Sequence, residues 1–177
     1  MVGFLMSLVG NMLASFLFLF TLLFFFKPRV AISPFICKGQ LHAEPGSEYY
    51  FIKVVNRSFF CAYDLKVEMN MVQLYPTPPS GMKNNRLTPL SLVADRLTHL
   101  GAYRPAWMRK EAMHCFRFRS SDNLGSILND DTQLIRITVS AKHGLTGLTK
   151  VCEEEYAHPS QLRAGTFTYG TKFGYMS

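Results

Sequence analysis

The hydrophobic pattern of this chain changes character once. Its first 26 residues carry no charged side chain, and the apolar run from Phe4 to Phe26 stops abruptly at Lys27-Pro28-Arg29. At about 1.5 Å per residue that run extends roughly 35 Å, enough to cross a hydrocarbon core of roughly 30 Å with some tilt. The pattern predicts a transmembrane helix as the anchor over residues 1–28. A cleaved signal peptide is the competing reading, but such a segment opens on Lys or Arg, runs shorter and ends in a small-residue cleavage site. Here the start is uncharged and Leu-Phe-Phe-Phe-Lys-Pro offers no such site.

Beyond the run the period falls to two. Tyr49 to Val55 and Ala62 to Leu74 alternate, with Ala62, Asp64, Lys66, Glu68 and Asn70 on one face and Tyr63, Leu65, Val67, Met69 and Met71 on the other. Met113 to Arg119, Leu134 to Lys142, Leu148 to Tyr156 and Thr166 to Tyr175 read the same way, and the turn His143-Gly144-Leu145-Thr146-Gly147 predicts an antiparallel meander late in the chain. Helix is expected only over Leu90 to Leu100 and Asn123 to Leu128. The tract Pro76 to Gly81, continuing into Lys83-Asn84-Asn85-Arg86, reads as a long exposed loop. Six or more strands in this length predict an all-β fold, an immunoglobulin-like antiparallel β-sandwich preceded by one transmembrane α-helix. The expected organisation is an anchor at 1–28, a juxtamembrane linker and first strand at 29–45, and the sandwich at 46–177.

Charge adds an orientation. All 19 Lys and Arg and all 12 Asp and Glu lie after the apolar run, leaving a net charge of +7. Lys27, Arg29 and Lys38 follow the run while nothing basic but the amino terminus precedes it, which places the later domain in the cytoplasm of a single-pass cell-membrane protein. The same three residues are the expected contacts to anionic lipid headgroups. Nucleic acid is not an expected partner, because the basic residues are scattered and no recognition motif accompanies them. Cys37, Cys61, Cys115 and Cys152 are widely spaced without a Cys-x-x-Cys pair and suit a reduced compartment. The sequon Asn56-Arg57-Ser58 would matter only if the domain faced outward.

Within the apolar run, Gly3, Ser7, Asn11 and Ser15 recur every four residues with Gly10 and Ala14 beside them, so small and polar side chains share one face. Small residues let helices approach closely, and an Asn in hydrocarbon favours a partner that shares its amide hydrogen bonds. This predicts a homo-oligomer or a contact with a second membrane subunit; a pore-lining stripe is the alternative use. Trp107, the single Trp, lies among Arg104, Arg109 and Lys110 and is a candidate interaction hot spot. Catalytic chemistry finds no support. The five histidines are isolated, no His-Glu-x-x-His or Gly-x-Ser-x-Gly occurs, and Glu153-Glu154-Glu155 and Asp130-Asp131 read as surface strand and turn, so no catalytic, metal or cofactor site is expected and the chain is not read as an enzyme.

Some residues resemble a known family. Tyr50-Phe51-Ile52-Lys53-Val54-Val55-Asn56-Arg57-Ser58, followed by Ala62 and Leu65-Lys66-Val67-Glu68, is similar to the first strands of the cytoplasmic domain of inward-rectifier potassium channels. Leu134 to Ala141, Lys150 to Tyr156 and Gly165-Thr166-Phe167 resemble its later strands, so the likeness spans about residues 46 to 170. It implies a sandwich that assembles around a symmetry axis beneath a membrane and reports ligand or lipid state to the helices above. The second spanning helix, pore helix and filter of those channels have no counterpart, so the chain alone is not a potassium channel. The function expected is a membrane-anchored cytosolic sensor or protein-interaction module that oligomerises through helix and sandwich. The alternatives are a ligand-gated oligomeric effector or pore subunit, and a scaffold for a separate membrane enzyme or transporter.

Overall fold

The computed structural model describes residues 2–25, 28–41, 44–76, 83–104 and 113–176. A single long helix, α1 (Val2–Phe25), opens the chain. Its stretch Gly3–Leu22 is long and apolar enough to cross a membrane, and none of it is buried against the rest of the chain. Thr21 turns its hydroxyl back to donate to the Leu17 carbonyl at 2.8 Å, which satisfies its polar atom inside the helix's own surface.

The rest is β-structure in two five-stranded sheets and a small hairpin. In the first sheet the central strand is β3 (Glu44–Asn56). Strands β1 (Val30–Ile32) and β2 (Ile36–Leu41) follow one another along one edge of it, and β7 (Cys115–Ser120) pairs with the other edge, all antiparallel. β10 (Leu162–Ala164) adds outside β2 in parallel. In the second sheet β4 (Ala62–Pro76) is central. β5 (Lys83–Pro89) and β6 (Arg96–Leu100) share one edge of it, while β8 (Gln133–His143) and then β9 (Thr149–Tyr156) continue the other. The last hairpin, β11 (Thr166–Phe167) with β12 (Tyr175–Met176), lies over the outer face of the first sheet. A short helix, α2 (Leu124–Leu128), is capped by Asn123, whose side chain accepts from the Ser126 N–H.

Alternation decides what each face meets. Tyr50, Ile52 and Val54 of β3 point to the second sheet and join Phe118, Leu65, Val67, Met69, Ile135, Ile137 and Val139 in one buried cluster. Each such apolar side chain contributes roughly 1.5–3 kcal/mol by leaving water. Phe51 faces the opposite way and packs with Cys37 and Phe167 under the β11–β12 hairpin. The two antiparallel sheets around one core fit a β-sandwich with an apolar helix before it.

Several expectations change. Leu90 to Leu100 is not a helix: Leu90, Val93, Leu97 and Leu100 mimic a helical stripe, yet residues 96–100 pair with β4 where β5 leaves its edge free. The alternation of β4 slips near its start, because Asp64 at φ 50° makes an irregularity that breaks the register between Tyr63 and Lys66. Ala62 and Leu65 therefore both point inward and Tyr63 is exposed. Residues 83–86 extend a strand hairpin rather than a loop. The meander stops at β9, and Thr166 to Tyr175 is a two-rung hairpin on the other sheet, not one strand. Most of the Pro-rich tract, Trp107 and Lys27 lie outside the described residues.

Candidate functional site

Val30 pairs with Asn56, and the Arg57 N–H donates to the Arg29 carbonyl at 2.6 Å, so the loop after β3 sits where the chain leads back to α1. The starts of β4, β7 and β9 and the ends of β6 and β8 meet at this helix-proximal end. One buried side chain organises it. Asn56 donates from Nδ2 to the Phe60 and Gly101 carbonyls, both at 2.9 Å, and its Oδ1 accepts from the Ser58 N–H at 3.0 Å and from the Ser58 hydroxyl. The sequon Asn56-Arg57-Ser58 is thus structural, since the amide that a glycan would need is buried and fully used.

Neighbouring loops are tied to the same point. The Tyr103 N–H donates to the Ser58 carbonyl at 2.8 Å and the Gly144 N–H to the Cys61 carbonyl at 3.0 Å. A Cβ at Gly144 would lie 2.5 Å from the Tyr63 ring and 3.0 Å from the Cys61 carbonyl, so a larger residue here would push the ring aside. His143 is buried at the root of the turn, its Nδ1 accepting from the Leu145 and Thr146 N–H groups at 3.4 and 3.3 Å. Burial alone holds its pKa below the ordinary imidazole value.

What this end presents outward is apolar and basic. Phe59 is 74% exposed, Met113 65% and Leu145 64%. Arg29, Arg57, Arg104 and Lys172 are exposed around them. Arg57 lies over the Phe173 ring at 5.3 Å, which holds its guanidinium in place. Among the described loops here (57–61, 101–104, 113–114, 144–148 and 169–174) there is no Asp or Glu. Apolar side chains ringed by cations suit an anionic bilayer surface, where the chains enter the headgroup region and the cations meet phosphates.

Of the expected contacts, Arg29 lies at this end. Lys38 does not: it pairs with Tyr50, six residues before Asn56 and so roughly 20 Å away along the strand, and forms an ion pair with Glu48 at 2.7 Å. The side-chain hydrogen bond from Lys38 to Glu48, ahead of any other cause, raises its pKa. Lys38 is thus set apart from Arg29 and engaged with an acid of its own strand pair. On α1, Gly3, Ser7, Gly10, Asn11, Ala14 and Ser15 fall within an arc of roughly 140°, and all are exposed. A Cβ on Gly3 or Gly10 would meet nothing within 4 Å, so this face has room for a neighbour. All four cysteines are free thiols; only Cys37 is buried, and desolvation pushes its pKa up to about 11.

Phe59, Met113 and Leu145 escaped the reading of the sequence, although Phe59-Phe60 directly after a turn was a usable signal. Among the described residues no cluster of three His, Cys, Asp or Glu is placed to hold a metal ion. No protein-family model matches this chain, and no curated protein matches it in sequence.

Proposed function

We propose that this chain is a single-pass membrane-anchored sensor or protein-interaction module, non-enzymatic, whose β-domain sits on the cytoplasmic face of the cell membrane. The observation that carries the reading is the bare surface of α1: some 20 residues of apolar side chains, none covered by the domain, need a hydrocarbon cover. The basic and apolar helix-proximal end is the surface the domain would rest on anionic lipid, with Arg29 and Arg57 at the headgroups. The open face of Gly3, Ser7, Asn11 and Ser15 supports assembly into a homo-oligomer, or contact with a second membrane subunit, by close helix approach. The immunoglobulin-like topology and the likeness to inward-rectifier cytoplasmic domains belong to this proposal and agree with a domain assembling beneath a membrane.

The anchor is tested by alkaline carbonate extraction of membranes from expressing cells. The full chain is expected in the pellet; release into the supernatant would overturn the reading. Assembly is tested by native mass spectrometry in detergent. A defined oligomer that Asn11→Leu disrupts supports the helix face as its contact, and a monomer with either sequence removes it.

A further inference from the structure

The outer face of the first sheet carries a second surface of different chemistry. Lys53 stands directly opposite Arg117, and Phe51 opposite Arg119, so the three cations share one face. Lys53 is only 1% exposed and donates from Nζ to the Thr168 carbonyl at 2.7 Å and the Lys172 carbonyl at 3.0 Å, leaving one of its three N–H bonds unassigned. Like charges placed directly across two strands repel, and burial of an ammonium without a carboxylate costs more still. Desolvation first, and Arg117 as a like charge, hold the Lys53 pKa down.

Little negative charge stands close by on this face. Among the described residues, the outward positions of β3 from Tyr49 to Val55 (Tyr49, Phe51, Lys53 and Val55), those of β7 (Cys115, Arg117 and Arg119) and residues 165–176 include no Asp or Glu. None of the four ion pairs among the described residues involves Lys53, Arg117 or Arg119. The two guanidinium groups are held instead by rings, Arg117 over Tyr169 at 5.8 Å and Arg119 over Tyr49 at 5.3 Å. Beside them runs a groove of about 770 Å³, lined by Arg117, Arg119, Phe51, Phe167 and Tyr169 among others, and a smaller hollow of about 300 Å³ reaches Lys53. That is the size of small-molecule sites.

We infer that this groove binds a phosphate ester carried on a flat aromatic body, as in a nucleoside phosphate. The charge selects phosphate: Arg117 and Arg119 line the groove with the Lys53 ammonium buried behind them, which suits a group of about −1.5 to −2, and guanidinium forks grip phosphate oxygens two at a time. The walls suit a ring, since Tyr169 is 81% exposed and offers its aromatic face at the groove, while the buried Phe51 and Phe167 form its apolar floor. A soluble source is favoured over a lipid headgroup, because Arg119 lies five residues along the strand from the helix-proximal end, roughly 17 Å. The inference deepens the sensor reading above by giving it a ligand class, and it rests on that reading only for its consequence at the membrane.

The test is isothermal titration of the full chain in an uncharged detergent with each of the four ribonucleoside monophosphates. The expected result is one saturable site for at least one of them, with the matching nucleoside and inorganic phosphate each at least tenfold weaker. Arg117→Gln and Arg119→Gln should each weaken binding at least tenfold, with far-ultraviolet circular dichroism unchanged. Arg117→Lys, which keeps the charge and loses the fork, guards against a folding defect and should lie between. Absence of binding to all four by folded protein would overturn the inference, as would binding indifferent to all three substitutions. Nanodiscs containing phosphatidate that engage Arg117 and Arg119 while the nucleotides stay inert would overturn the soluble source. Failure here with the chain still resistant to carbonate extraction sinks the groove alone and leaves the membrane reading standing.

Discussion

The two ends of the β-domain handle polarity in opposite ways. At the far end the acids are consumed by turns: Asp122 accepts from the Ser91 N–H at 2.6 Å, and Asp130 accepts from the Thr132 N–H and hydroxyl and from the Gln133 amide at 2.7 to 2.9 Å. At the helix-proximal end the backbone is satisfied from inside by Asn56, so Arg57 and the exposed apolar chains Phe59 and Leu145 face outward with no turn to close. Where side chains close turns, the surface is finished. Where one buried amide does that work, the surface is free to meet something else.

The contrast breaks most severely at Asn56. Asn56→Ala orphans the buried Gly101 carbonyl and takes one of two donors from the Phe60 carbonyl, for an expected loss of about 2 kcal/mol in denaturant unfolding of the detergent-solubilised chain. A loss below about 1 kcal/mol would show that the loops hold themselves.

Next in size is the response to pH. The folded His143 has a pKa below the 6.5 of the unfolded chain, so the unfolded state takes up a proton that the folded state refuses. The stability linked to it is present above about 6.5 and declines as pH falls through that value. His143→Gln should flatten the fall in melting temperature between about pH 7.5 and 5.5.

The far end should respond only in acid. Hydrogen bonds, first from the Thr132 hydroxyl, hold the Asp130 carboxyl below its usual 3.8. Its contribution is present above that value and lost as pH falls through the lower folded value. Asp130→Asn should therefore cost less than Asn56→Ala at neutral pH, and its deficit should vanish in strong acid; a deficit that persists there would refute the assignment.

The smallest stability effect belongs to the exposed apolar chains. Phe59→Ser with Leu145→Ser should change stability by no more than about 0.5 kcal/mol. Their effect shows at a bilayer: an environment-sensitive fluorophore on Phe59→Cys should shift to the blue in anionic nanodiscs, while one on Asp131→Cys should not. Equal shifts would erase the difference between the ends.

Much of the fold was legible because period two is a backbone property that neighbours rarely override. Strands near 49–55, 113–119, 134–142 and 148–156 follow it directly. The errors fell where tertiary partners decide: residues 96–100 became a strand because β4 had an unpaired edge beyond β5, and Asp64 shifted a phase that composition could not reveal. The groove was half-visible. Arg117 and Arg119, two apart in an alternating segment, had to share a face, but only the pairing of β7 with β3 sets Lys53 beside them. The helix-proximal surface was the least visible, since Arg29, Phe59, Met113 and Leu145 come from four separate segments.

Lys53 has a consequence for how the chain is made. Its two carbonyl acceptors are supplied by residues 115 and 119 positions later. Until those residues are made, the Lys53 ammonium on the central strand of the first sheet has only water to receive it, while the apolar helix was synthesised well before. Closure of the sheet is thereby tied to a late event in translation, and a message cut short of Thr168 would yield a product with an open outer layer. In that product Phe51 and Cys37 would lose the β11–β12 hairpin whose Phe167 side chain packs on them, so the last strands close the same layer that holds the lysine.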